Sequence, residues 1–162
     1  MKRVIILLAL LVAVLLSACG GNGALEEFTR VSNEGGPVYN DFFLQVYFRE
    51  GIYTVTIQEN DVVVKGAQYS EDRNAVQTSG LKLIRAEDIS RYLGKSLVEA
   101  ELTLGRHHVD IGSGMYMPAY LTCDGYLIVF SVDMDDRQII HVGKMDLFTG
   151  ESVEWYFLDE GS

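Results

Sequence analysis

An α+β fold, with two short helices packed on an antiparallel β-sheet meander and a β-rich hairpin region ahead of them, is predicted by three features of the chain. Runs of aromatic and β-branched residues punctuated by turn-forming residues occur on both sides of residues 81–105. Between them the apolar spacing changes to that of a helix, opened by a capping box and closed by glycine. Helices followed by successive strands with short connections make a layer of helix on sheet.

The amino terminus is read first as an address. Lys2-Arg3 is followed by an apolar run over residues 4–16 and the small residues Ser17-Ala18 before Cys19. A basic head, an apolar stretch and small residues at the cut make residues 1–18 a secretory signal. The run is too short for a comfortable membrane span, which needs about 20 apolar residues. Leu16-Ser17-Ala18-Cys19 resembles the bacterial lipobox. That resemblance implies a diacylglyceryl thioether on Cys19, cleavage just before it, and a lipid-anchored protein on the extracytoplasmic face of the cell membrane. Each buried acyl methylene adds about 0.8 kcal/mol, so two or three chains hold a domain durably. Residues 19–36, with Gly20, Gly21, Gly23, Gly35 and Gly36, read as a flexible tether of roughly 20 to 25 Å.

Residues 37–162 are then a single α+β domain. In order, residues 42–48 and 52–57 form a hairpin around Glu50-Gly51, and residues 62–64 extend it after Glu59-Asn60-Asp61. Residues 70–80 are polar and aperiodic, which predicts a surface loop. Residues 86–93, with Glu87 and Asp88 in the first turn and Gly94 at the stop, read as a short helix. Ser96-Leu97-Val98-Glu99 is a capping box opening a second helix, with Leu97, Ala100 and Leu104 on one stripe and Gly105 at its end. Strands follow at 109–111, 115–122, 126–132, 138–145 and 152–158, with Asp124-Gly125 a hairpin signal.

Charge and cysteine content narrow the function. The chain has 23 acidic against 13 basic residues, a net charge of −10, and loss of Lys2 and Arg3 makes it more negative. Nucleic acid, which is bound by neutralising phosphates with Lys and Arg, is excluded as a partner. With Cys19 lipidated, Cys123 has no partner for a disulfide, so the fold rests on its core.

The pattern Gly94-Lys95-Ser96 through Glu99 to Leu104-Gly105, then His108, Asp110, Gly112-Ser113-Gly114, Tyr120 and Asp124-Gly125, resembles small Gram-positive lipoproteins. These are related to the β-lactamase-inhibitor-like and outer-membrane-assembly (SmpA/OmlA) lipoprotein group. The resemblance covers residues 81–147 and implies helices paired with an antiparallel sheet in a noncatalytic binding or assembly module. The inhibitors carry two copies of the unit and stabilising disulfides, whereas one copy and no disulfide are found here, so inhibition is not implied.

Candidate chemistry is sparse. His107, His108 and Asp110 lie within four residues, but on a strand His107 and His108 point apart while His108 and Asp110 share a face. Two ligands make a poor zinc site unless His141 joins them. The simpler expectation has His108 bonded to the turn after the second helix and Asp110 facing solvent. Gly112-Ser113-Gly114 lacks the rest of a nucleophile elbow and reads as a bend. Asp133, Asp135 and Asp136 lack the glycine and glutamate of a calcium loop and read as a solvated turn. Met115, Tyr116, Met117, Tyr120, Trp155 and Tyr156 form an aromatic and methionine-rich set of the kind enriched in interface cores. The chain is therefore expected to be a noncatalytic module without a cofactor or metal. Its expected binding patch is His108, Asp110, Tyr116, Tyr120 and Trp155, and its partner another envelope protein. The alternative is a small metal-dependent enzyme or hydrolase using His108 and Asp110.

Overall fold

A computed structural model of the chain describes residues 21–33, 36–40 and 43–158; residues 1–18 and Cys19 lie outside them. Two antiparallel sheets stack face to face, each covered on its outer side by helix. Sheet 1 is the meander β1 (Tyr39–Asn40), β2 (Leu44–Arg49), β3 (Ile52–Glu59), β4 (Val62–Ser70) and β5 (Ala75–Ser79). Sheet 2 is the meander β6 (Val109–Asp110), β7 (Pro118–Leu121), β8 (Tyr126–Val132), β9 (Ile139–Asp146) and β10 (Ser152–Phe157). The α+β class expected from the sequence holds. No helix among the described residues is long and apolar enough to cross a membrane.

The tight turns of sheet 1 follow from residue type. Glu50 and Gly51 both have positive φ, 50° and 78°, as do Asn60 and Asp61 at 51° and 62°. Positive φ at both central residues is the type I′ geometry whose twist matches that of the flanking strands. It fixes Arg49 against Ile52 and Glu59 against Val62. The register sends Leu44, Val46, Val55, Ile57, Ala67 and Tyr69 to one face, where they meet Ala119, Leu121, Leu127 and Val129 of sheet 2. Each such buried aliphatic side chain contributes about 1.5–3 kcal/mol. The Phe148 ring inserts from the β9–β10 turn and stacks on Tyr53 at 4.0 Å between centroids. The buried Tyr69 hydroxyl donates to the Thr122 carbonyl at 2.9 Å, tying the two sheets through a polar bond.

The far face of sheet 2 carries Tyr120, Ile128, Phe130, Val132 and Val142 beneath α2 (Leu97–Leu104) and a 3-10 helix, Ile89–Tyr92. The capping box forms as expected: the Ser96 hydroxyl accepts from the Glu99 amide and the Glu99 carboxylate accepts from the Ser96 amide. Because both faces of β8 are covered, its sequence is a nearly continuous apolar run, not an alternating one.

Several expectations are corrected. The proposed tether contains a helix, α1 (Gly21–Asn33), whose Leu25, Phe28 and Val31 recur on one face and whose Phe28 is fully buried. It seats on the outer face of sheet 1, where Gly66 leaves room for the Phe28 ring: a Cβ there would lie 2.3 Å from the ring. The polar stretch 70–80, expected as a loop, contains β5, an edge strand held to β4 by main-chain pairing and therefore free to be polar. The helix expected at 86–93 is one 3-10 turn, since Asp88 takes a left-handed φ of 43°. The strand expected at 115–122 is regular only over Pro118–Leu121.

Candidate functional site

The segment leaving α2 sets the first group of candidate residues. Gly105 closes the helix with φ 86°, its amide donating to Glu101, and the chain turns into β6. His108 then points inward toward Tyr120, and His107 points the other way, against Glu101 and Tyr116, with its side chain only 16% exposed. The His108 Nε2–H donates to the Lys82 carbonyl at 3.0 Å, and Nδ1 accepts the Leu121 amide at 2.9 Å. Both ring nitrogens are thus committed to main chain, not to the turn after α2 as expected. Burial pushes this imidazole down to about 4, so the ring is neutral. A ring so occupied has no lone pair for a metal and no position from which to act as a base.

Asp110 was expected to face solvent. Its Oδ1 instead accepts the amides of Gly112 at 3.0 Å and Met117 at 2.9 Å, and so organises the bend at 112–117. At that bend a Cβ on Gly112 would fall 1.7 Å from the Met115 carbonyl, which explains the glycine. Tyr120 is fully buried and its hydroxyl donates to Gly105 at 3.0 Å; burial raises its phenol above the ordinary range. Tyr116 is half-buried, with its ring edge-on to His107. The Glu101 carboxylate stands 2.8 Å from His107 Nδ1, an arrangement that the sequence spacing did not suggest. A 670 Å³ recess beside these groups is lined by His107, His108 and Asp110, with no serine, threonine or cysteine in its wall among the described residues. Among the described residues no group of three or more His, Cys, Asp or Glu is placed to hold a metal. In the turn at 133–137, Asp133 and Asp136 accept the amides of Asp135 and Gln138.

Trp155 lies elsewhere. His108 and Asp110 sit at the β6 edge of sheet 2, whereas Trp155 is on β10 at the opposite edge, so the five expected patch residues do not share a surface. The Trp155 ring lies over Gly143, its direct cross-strand partner, where a Cβ would be 2.7 Å from the ring. Around it β10 is the most exposed of the long strands. Val153, Tyr156 and Phe157 are exposed, Phe157 by 61%. Register places Trp155 and Phe157 on one face and Tyr156 on the other, as strand alternation requires. The Phe157 ring meets the His141 ring edge-on, at 4.8 Å. Pairing runs on one side, to β9, so the outer row of β10 amides and carbonyls has no strand partner among the described residues. Natural sheets protect such edges with Lys, Pro or strong bulges. Here β10 has no Lys or Pro, one bulge near Val153 and the single charge of Glu154. Trp155 and Tyr156 belong to the aromatic set expected from the sequence, whereas Val153 and Phe157 do not. The available signal was an apolar, barely alternating final strand.

Comparison of the chain with protein-family models, curated proteins and solved structures gave no match.

Proposed function

We propose that this protein is a noncatalytic binding module of the cell envelope, held at the extracytoplasmic membrane face by lipid on Cys19, whose β10 edge pairs with an extended segment of another envelope protein. The carrying observation is that edge: six residues long, bonded on one side, with Val153, Tyr156 and Phe157 exposed. Strand addition gains main-chain hydrogen bonds for affinity and uses alternate side chains for selectivity. Residues 151–162 carry Glu151, Glu154, Asp159 and Glu160 with no Lys or Arg. A second copy pairing here would bring like charges together, which costs stability across strands. The partner strand is therefore apolar and basic. The resemblance of residues 81–147 to binding and assembly lipoproteins points the same way, as does the commitment of both His108 nitrogens to main chain.

The test places a photo-crosslinking phenylalanine analogue at position 157, and at exposed Val62 as a control, in the membrane-bound protein. One discrete adduct from 157, absent from 62 and lost when Val153→Glu is added, is expected. Equal labelling from both positions, or none, overturns the reading. For the anchor, intact mass should show a chain starting at Cys19 with a diacylglyceryl thioether; a free thiol there overturns it.

A further inference from the structure

Eleven Lys and Arg residues follow the first three positions of this acidic chain, and three of them converge on one recess at the seam between the sheets. The recess has a volume of about 300 Å³, and Lys65, Lys82 and Arg106 stand in its wall, where no carboxylate is found among the described residues. We propose that this recess binds a phosphate group.

Each of the three cations is held differently. Lys65 extends from β4, and its ammonium donates to the His108 carbonyl at 3.0 Å. That single bond fixes the head group and leaves two of its three hydrogens for a ligand. Gly80, at φ 68°, turns the chain over Lys65 without adding a side chain that would close the opening. Lys82 and Arg106 are exposed and converge from separate segments, the strand lead-in after β5 and the turn after α2.

Four of the other eight cations after the first three positions stand beside a carboxylate. Arg73 pairs with Asp146, Arg30 with Glu27, Lys144 with Glu154, and Arg85 stands 3.6 Å from Glu87. Lys65 and Arg106 also border the adjoining 670 Å³ recess, which holds Glu59 and Asp110, but among the described residues no carboxylate lines the smaller one, so an anion that enters it is attracted by all three cations. The net charge of −10 disfavours anions over the surface as a whole, so a local convergence of three cations is what would hold one. Two ammonium point charges and one guanidinium fork match the charge and tetrahedral oxygens of a phosphate. The neighbouring His108 contributes no competing proton, since both its nitrogens already bond to main chain.

A phosphate group reaches such a site either as a free solute or as a phospholipid head group. The full chain is titrated at low ionic strength with inorganic phosphate, and separately with glycerophosphoglycerol, the acyl-free head group of phosphatidylglycerol. Amide NMR is the readout. Saturable shifts confined to the amides around Gly80, Lys82 and Arg106 are expected, with at least a tenfold weakening in Lys82→Glu/Arg106→Glu and none in Lys144→Glu. Saturation by phosphate alone assigns the free solute, and saturation by the diester alone assigns the head group. Absence of saturable binding by both probes, or binding that the double substitution leaves unchanged, overturns the proposal. Both substituted positions are exposed, so an unchanged melting temperature separates lost binding from lost folding.

Discussion

Removing the His108 ring would strand two main-chain groups at once, the partly buried Lys82 carbonyl and the fully buried Leu121 amide. His108→Ala is therefore expected to lower stability by about 2–4 kcal/mol, read from the urea midpoint. A histidine kept for catalysis would leave that midpoint almost unmoved. Acid should act through the same residue. Folded His108 is held neutral down to about 4, whereas an unfolded histidine takes a proton near 6.5. The contribution is complete above pH 6.5, falls as pH drops toward 4 and is then exhausted, on the order of 3 kcal/mol in all. Stability measured against pH should be flatter across that window in His108→Gln; an identical slope would show that another group carries it. The sequence disclosed that His107 and His108 point apart, because that follows from the strand period alone. It did not disclose the role of His108, because Lys82 lies 26 residues away and only the folded topology brings its carbonyl to the ring.

At the level of single elements, α1 is the clearest case of a feature the sequence hid. Leu25, Phe28 and Val31 are three apolar residues set among glycines and polar side chains, and helix propensity there is low. The helix is ordered by docking, and the docking depends on an absent side chain. Gly66→Ala would place a carbon 2.3–2.8 Å from the Phe28 ring, and the resulting displacement should cost about 1–3 kcal/mol. Hydrogen exchange is the measurement: α1 amides should lose protection in Gly66→Ala while those of β8 keep it. Undiminished protection in α1 would show that Phe28 sits elsewhere. The type I′ hairpins and the α2 cap were legible because Asn, Asp, Gly and Ser act there through local geometry. β5 was not legible, since an exposed edge strand bonded through its main chain needs no apolar pattern.

Across the whole molecule, the stacking of two sheets was the largest unread feature, although the α+β class was apparent. The hint lay in the Leu127–Phe130 run of β8, which alternation would have interrupted had one face met water. The stack is pinned at one corner by Arg73, from the β4–β5 turn of sheet 1, bonded to Asp146 at the end of β9 in sheet 2. The Arg73 guanidinium also lies 5.2 Å from the Phe148 ring centre. Burial raises the Asp146 pKa, but the Arg73 hydrogen bond and the Phe148 and Thr149 amides outweigh it, so the carboxyl sits below its ordinary value. Its stabilisation is present above the ordinary carboxylate range and is lost as pH falls through the lowered value. Arg73→Ala should cost about 2 kcal/mol at neutral pH and shrink the acid-induced loss below about pH 4. An unchanged acid limb would rule out the pair as its source. The docked position of α1 also bears on how the body meets a bilayer. Cys19 precedes Gly21 by two positions, at most about 7 Å of extended chain. Were Cys19 acylated as proposed, the folded mass would have almost no leash: it would ride against the head groups, and a binding partner would have to approach along the plane of the membrane or from above.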